Sequence, residues 1–521
     1  MKKIHILIII SLLSLILSVV YIQCLGDDTF IYMRLIKNFI KSGIVEYNPG
    51  EPSFIMTSVT WFYAWTWLTR VFRDIDIARY ILSFISHILA CFSLWLIARK
   101  YIKSELIFML FIGVVFLDPF YLRWLWAGWE LSWKVSIAAF SIYSLLTLHN
   151  KCRLTHYILC GILAGFAFLT RPEMAVLGVL GIIFILIKFP NRIKHIIGYL
   201  LGLFIIVSPW MIYAHKHFGC LFPQTVLSKS GGILTPHYLT EYFPKFLKIA
   251  LIPQLAIYIF ILFLLYTTFK AGHLKNVISN LIKFIHQKSE FLDFTLIFIW
   301  SMAIFGYLIT GTYISSIYLN LFTPFIALFL CILIEKSFQS NLYNISNKIK
   351  IVFIILIILV SVGIQTKIYY RFSIFNDRFR DGEDTNFIEF ANEIKESTQP
   401  GDTICVWELG VVGYYCDRYI LDFNGIATPE ITEYKIKYGG DHISKYFDDK
   451  NIIPKYIVNY SPKGQDSNED TLTVEFWGNS YAPLFAKKVR RIAGRSPWGY
   501  YDLYILYKLI EPSTYVEIDT T

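Results

Sequence analysis

Two adjacent carboxylates, Asp27 and Asp28 in the run CLGDDTFIYMRL, follow a stretch from Ile4 to Gly26 that holds no Asp, Glu, Lys or Arg. A carboxylate held at the mouth of a membrane cavity can take a proton from a hydroxyl group while the other reactant waits in lipid. Adjacency raises the pKa of at least one of the two where water is restricted, towards a value useful to a base. Side by side on a helix they point in different directions, so one suits proton transfer and the other suits orienting a substrate or a cation. The plain alternative is a solvated helix start, where acids are favoured in the first turn.

Three further segments carry candidate chemistry. After Asp118 and Pro119, the run RWLWAGWELSWK sets Arg123, Glu130 and Lys134 among four tryptophans, a composition that suits sugar stacking and equally a membrane-interface belt. Lys134 enters an apolar segment, so it must snorkel outward, pair with Glu130 or face a cavity. In LTRPEM, Arg171 and Glu173 flank Pro172. They read either as an ion pair at a helix break or as cavity-lining groups, the arginine gripping phosphate oxygens. Residues 208 to 231 hold His215, His217, Gln224, Thr225 and Lys229, donors that suit a phosphate or pyrophosphate head, though a basic loop beside anionic lipid has the same composition.

The elements that position these residues follow from composition. The chain has 521 residues, 55% of them hydrophobic and only 17% charged, with a mean hydropathy of +0.52, which excludes an ordinary soluble domain and implies a mainly α, polytopic membrane protein. A crossing helix needs about 20 apolar residues. Eleven windows are predicted, at about 4–24, 78–98, 105–118, 131–148, 155–170, 174–188, 195–214, 250–269, 291–311, 316–334 and 351–369. Lys and Arg concentrate in every second loop, at Lys2 and Lys3, Arg99 to Lys103, Lys151 and Arg153, Lys188 to Lys194, Lys270 to Lys288 and Lys336 to Lys350. That alternation marks these loops as cytoplasmic and the others as outer, and the net charge of +10 then reports topology, with no nucleic acid implied. Thr57 to Phe72, rich in tryptophan, reads as an interfacial helix with indoles at headgroup level; a twelfth span would invert every later loop.

The expected division is a transmembrane domain over 1–370 and a soluble extracytoplasmic α/β domain over 371–521. In the latter a helix is predicted at Asp384 to Ser397 and strands at Thr403 to Val406, Tyr419 to Asp422, Tyr456 to Asn459 and Tyr500 to Tyr507. The first apolar segment lacks a small-x-small cleavage site, so it reads as an uncleaved helix with a cytoplasmic amino terminus. Eight cysteines without CxxC or Cys/His spacing argue against zinc. Cys405 and Cys416 lie close in sequence, and a disulfide or two separate thiols both stay open. No cytoplasmic nucleotide-binding glycine loop is present.

Taken together, these segments resemble the bacterial GT-C membrane glycosyltransferases, most closely the branch containing the mycobacterial terminal arabinofuranosyltransferase. The resemblance rests on DDxFIxxR (Asp27, Asp28, Phe30, Ile31, Arg34), NPGE (Asn48 to Glu51), Gly128 and Glu130, LTRPE (Leu169 to Glu173) and FGxxxPxTxxxK (Phe218, Gly219, Pro223, Thr225, Lys229). It continues in the outer domain with Gly410, Gly413, Tyr414, Tyr415, Asp417, Arg418, Asp422 and Gly425. The resemblance implies a GT-C-like bundle and transfer of a sugar from a polyprenyl-phosphate donor to a glycan or glycolipid acceptor on the outer face of the cytoplasmic (inner) membrane. In it Asp27 or Asp28 is catalytic, and Arg34, Arg123, Glu130, Lys134, Arg171, Glu173, Thr225 and Lys229 are candidate substrate-binding residues. No cofactor is implied; a divalent cation near Asp27 and Asp28 stays open. The family's usual Gly-(Met/Leu)-Glu-Thr is Gly128-Trp129-Glu130-Leu131 in this chain, and its Asn-Thr is Gln224-Thr225, so arabinofuranose is not carried over. The rival readings are a flippase of a lipid-linked glycan and a non-catalytic glycan-assembly subunit.

Overall fold

A computed structural model describes residues 3–22, 25–189, 192–229, 243–244, 246–247, 249–250, 252–259, 261–262, 288–306, 316–339, 347–379, 386–461, 474–476, 479–491 and 500–509. The chain divides into two compact units. One comprises Met1–Ile22, Thr57–Tyr213 and Lys229–Phe372; the other comprises Gln23–Met56, Ala214–Ser228 and Ser373–Thr521. The first outer loop and the 214–228 loop are thus grouped with the C-terminal residues, whereas the sequence placed both in the membrane domain. The reason is a set of long-range polar contacts, described below.

The first unit is helical. Among the described residues, Lys3–Tyr21, Ile75–Tyr101, Ile193–Phe218 and Lys348–Phe372 are long and apolar enough to cross a membrane. Shorter apolar helices occupy Glu105–Phe116, Leu131–Thr147, Leu154–Thr170, Ala175–Lys188, Lys288–Met302 and Thr323–Gln339. All eleven windows therefore contain described helical residues, 250–269 only at 250, 252–259 and 261–262, while Lys270, Lys275, Lys283 and the side chain of Lys229 lie outside the described residues. Helix starts are set by short polar caps. Asp74 accepts from the amides of Asp76 and Ile77, and Ser104 accepts from Ile107. Leu154–Thr170 and Arg192–Phe218 cross so closely that a Cβ on Gly161 would lie 1.8 Å from the Tyr199 carbonyl oxygen and one on Gly202 2.0 Å from that of Ile158; only glycine permits that approach.

The tryptophan-rich segment forms the helix Val59–Phe72, capped by Ser58. Trp61 and Trp65 are fully buried, donating to the carbonyls of Gly128 and Ile75, while Trp67 is exposed. Two of its three indoles therefore pack inside the protein, their ring N–H groups finding carbonyl partners in other segments.

The second unit opens with the helix Asp27–Ser42, followed by a two-stranded ribbon of β1 (Glu46–Asn48) and β2 (Glu51–Pro52). After the helix Phe387–Ser397 comes a mixed sheet of β3 (Thr403–Val406), β4 (Tyr419–Asp422), β5 (Tyr456–Ser461), β6 (Val474–Phe476), β7 (Asn479–Arg491) and β8 (Tyr500–Leu509). Its order is β4-β3-β5-β8-β7-β6. The pairs β3–β4 and β3–β5 are parallel, with helices in the crossovers, and the remainder is antiparallel. Cys405 and Cys416 are separate buried thiols.

Candidate functional site

The helix Asp27–Ser42 starts after Gly26, whose extended backbone lets the acids sit in the first turn. Both oxygens of Asp27 are engaged. Gly410 N–H donates to Oδ2 and Val411 N–H to Oδ1, each at 2.9 Å. These amides open the helix Gly410–Cys416. A Cβ on Gly410 would stand 2.0 Å from the Asp27 carbonyl oxygen and 2.5 Å from Oδ1, so glycine is required for the approach. Removal of the half-buried carboxyl from water, and then the neighbouring charge of Glu408, push the Asp27 pKa up to about 7. The two amides pull it down, and Asp28 adds a smaller push.

The remaining motif residues of this unit answer one another in the same way. Arg34 is 5% exposed. Its Nε donates to the Tyr47 carbonyl at 2.8 Å, Nη1 to that of Gly413, and Nη2 to Asn48 Oδ1 and the Arg418 carbonyl at 3.2 and 2.7 Å. A guanidinium so placed ties the helix Asp27–Ser42 and the β1 loop to the C-terminal helix Gly410–Cys416. Four of its five N–H donors are spent on protein. Asn48 pairs through both side-chain atoms with the backbone of Ile420, and the Tyr419 hydroxyl donates to Glu51. The Tyr47 hydroxyl donates to the Leu409 carbonyl at 2.6 Å and would collide with any Cβ on Gly413. Lys37 meets Asp417 at 3.0 Å, and Phe30 packs against Tyr414 and Tyr415. The FGxxxPxT segment packs on the first loop through Phe218 on Phe54 and a Gln224 N–H to the Phe54 carbonyl. Thr225 is 8% exposed, and its hydroxyl has no partner among the described residues.

In the first unit a second cluster forms where the helix Leu154–Thr170 stops at Pro172. Arg171 donates to Glu130 Oε1 at 2.7 Å, to Glu173 Oε1 at 2.8 to 2.9 Å and to Thr57 at 3.3 Å, with its guanidinium over the Tyr318 ring. Lys134, fully buried, interacts electrostatically with all three charged groups. Two cations against two carboxylates leave this cluster neutral, which is how four charges are tolerated in so apolar a setting. Arg123 lies over the rings of Trp124 and Phe372 at 4.7 and 5.4 Å. Trp124 stacks on Trp129 at 4.5 Å.

Sequence reasoning missed several polar groups. His87, fully buried, bridges Ser11 at 3.1 Å and Tyr121 at 2.8 Å, and Tyr121 reaches Ser132. Asp293, 3% exposed, binds Lys100, Lys188 and Tyr101. The available signal was an ionisable residue inside an apolar window. Among the described residues no three His, Cys, Asp or Glu side chains are grouped as metal ligands.

The pattern of the dolichyl-phosphate-mannose-protein mannosyltransferases, a glycosyltransferase family, matches residues 58–213. A domain of unknown function (DUF8728) matches residues 375–506. No curated protein matches in sequence. Among solved structures, ArnT from Cupriavidus metallidurans bound to undecaprenyl phosphate is similar with a TM-score of 0.57 at 11% identity, over 96% of this chain and 97% of that one. The archaeal oligosaccharyltransferase AglB from Archaeoglobus fulgidus, in complex with an inhibitory peptide and a dolichol-phosphate, is similar with a TM-score of 0.53 at 12% identity, over 88% of this chain and 69% of that one.

The fold is GT-C-like. With its apolar helices the chain is a membrane protein, as the composition required.

Proposed function

We propose that this protein is a glycosyltransferase that moves a sugar from a polyprenyl-phosphate donor to a glycan or glycolipid on the outer face of the cytoplasmic membrane. The observation that carries the reading is its likeness, over nearly the full length of both chains, to a structure that holds undecaprenyl phosphate. In this reading eleven helices cross the membrane, and the basic loops lie in the cytoplasm with the C-terminal domain outside. The closeness of the quoted motifs to the arabinofuranosyltransferase branch belongs to the proposal, without its sugar.

The acceptor hydroxyl attacks the anomeric carbon, the bond from that carbon to the phosphate oxygen breaks, and the polyprenyl phosphate departs with the electron pair. Asp27 takes the hydroxyl proton. A carboxylate with a pKa of about 7 is a far better base at neutral pH than one in the ordinary range. The Gly410 and Val411 amides fix its orientation and leave lone pairs for the incoming proton. Asp28 orients the substrate. Glu130 and Glu173 hold sugar hydroxyls, Thr225 offers a hydroxyl that has no partner among the described residues, and Lys229 meets the departing phosphate. Arg171 joins Lys229 by exchanging Glu173, the more exposed of its two carboxylate partners.

The test is turnover of radiolabelled polyprenyl-phosphate sugars by the reconstituted protein, with Asp27→Asn, Asp28→Asn and the double variant beside the wild type. Transfer is expected to fall by at least a hundredfold in the Asp27 variant. Undiminished transfer in the double variant overturns the assignment, and lipid translocation without a new glycosidic bond overturns the reaction class. Titration with magnesium and with a chelator tests for a divalent cation at Asp27 and Asp28.

A further inference from the structure

At the end of the first unit that carries the basic loops, the helices Ile75–Tyr101, Leu131–Thr147, Ala175–Lys188 and Lys288–Met302 border a cavity of about 600 Å³ lined in part by Arg99, Lys100, Tyr143, His149, Lys188 and Asp293. A smaller space of about 240 Å³ shares Leu148, His149 and Lys188 with it. Lysine and arginine in the last turn of a helix ordinarily do no more than complement its dipole, and Asp293 would then be a staple between two lysines. Two observations go beyond that account.

The first is the construction around Asp293. This 3% exposed carboxylate takes Lys188 on Oδ1 at 2.8 Å and both Lys100 and the Tyr101 hydroxyl on Oδ2 at 2.9 Å. It holds two ammonium groups from different helices at the cavity wall. The second is unspent donor capacity. Lys188 has three N–H groups and one oxygen acceptor among the described residues. Among the described residues Arg99 makes a single long hydrogen bond, 3.5 Å to the Tyr143 hydroxyl, with its guanidinium stacked on Trp95. The Lys151 amide donates to His149 Nδ1 at 3.2 Å, which leaves the ring proton on Nε2 as a further donor. Three cations face one carboxylate in a cavity whose remaining wall is Leu96, Leu146 and Leu148 with the hydroxyl residues Thr147 and Ser289. Cationic donors beside leucines match a phosphate ester that carries an alkyl chain.

We propose that this cavity binds a phosphate ester, the headgroup of an anionic lipid in the leaflet at the basic end of the bundle. The site lies wholly in the first unit and stands independently of the glycosyltransferase reading. A free phosphate compound offers the same anion, so the experiment separates the two sources. The full-length protein, purified in detergent, is exposed to phosphatidylglycerol, to phosphatidylcholine and to inorganic pyrophosphate, and retention is read by native mass spectrometry. Wild type is expected to retain phosphatidylglycerol over phosphatidylcholine. Arg99→Ala and Lys188→Gln should each weaken retention about fivefold. Asp293→Asn removes the competing carboxylate and should strengthen it, which a mere staple would not do. Displacement of the lipid by pyrophosphate at comparable concentration would transfer the site to a free phosphate compound. Retention unchanged in Arg99→Ala and in Asp293→Asn overturns the proposal even if Lys188→Gln fails to fold.

Discussion

Replacing Asp27 by Asn removes the charge of this side chain and keeps its shape. In the native protein the carboxyl holds its proton up to about pH 7, whereas the unfolded chain releases it near the ordinary 3.8. Between those values the native state binds more protons than the unfolded one, so the contribution to stability is complete below about pH 4 and is lost as pH rises through 7. A shift of that size corresponds to about 4 kcal/mol at most, and solvent screening at a half-buried group brings the working figure to about 2 kcal/mol. Asn has no such dependence. Its Oδ1 accepts one amide N–H as the acid does, but its NH2 group is a donor only and leaves the other amide without an acceptor, a cost of about 1–3 kcal/mol that does not change with pH. Measured against the wild type, the variant should therefore gain about 2 kcal/mol between pH 4 and pH 8, even as it loses any function of the base. Thermal unfolding of both proteins in detergent across pH 4 to 8 reads the gap, and infrared difference spectra of the carboxyl band read the titration directly. A gap of constant size across that range would mean an ionised Asp27 throughout and would refute the dominance of desolvation.

Gly410→Ala forces a methyl group against the Asp27 carbonyl and carboxylate oxygens; a cost of about 1–3 kcal/mol should expose residues 373–521 to limited proteolysis, while Gly440→Ala, which meets open space, should leave the digestion pattern unchanged. Arg34→Lys loses the planar fork that serves four acceptors on four residues, so urea denaturation should show a loss of about 2 kcal/mol or more. Glu130→Gln leaves Arg171 with one carboxylate inside the bundle, a change worth about 3 kcal/mol. The double variant Glu130→Gln/Arg171→Met should recover part of that loss in a thermal melt, and strictly additive losses would show that the pair is not coupled.

Much of the architecture was legible because it depends on local pattern. Hydropathy located helices in the bundle, and β-rich runs located β3 and β4 at their observed limits, Thr403–Val406 and Tyr419–Asp422. The longest strand, Asn479–Arg491, was not read, since Pro483 and the run KKVRR look like a loop. Pairing with β8 overrides both, with a register shift between Pro483 and Phe485. Lys134 was read as needing a partner, and it sits among Arg171, Glu130 and Glu173. The tryptophans of Val59–Phe72 were read by composition as interfacial, but an indole buries wherever a carbonyl meets its N–H, and the composition does not encode that carbonyl.

The least legible point was why Asp27 should be basic at all. Its adjacency to Asp28 suggested mutual repulsion, yet Asp28 is the smallest of the raising influences, behind burial and the charge of Glu408. Burial itself depends on the amides of Gly410 and Val411, 383 and 384 residues further along the chain, which seat the carboxyl and at the same time lower its pKa. The DDxFIxxR segment and the GxxGYYxDR segment are therefore two halves of one contact. Gly410 admits Asp27, Gly413 admits Tyr47 beside Arg34, Tyr414 and Tyr415 receive Phe30, and Asp417 receives Lys37. A value of about 7 is a balance between desolvation and two hydrogen bonds. A change at either segment that loosens the contact restores water and amide freedom together and returns the acid towards its ordinary range. The C-terminal residues thus belong to the chemistry proposed for Asp27, because they set the proton affinity on which it depends.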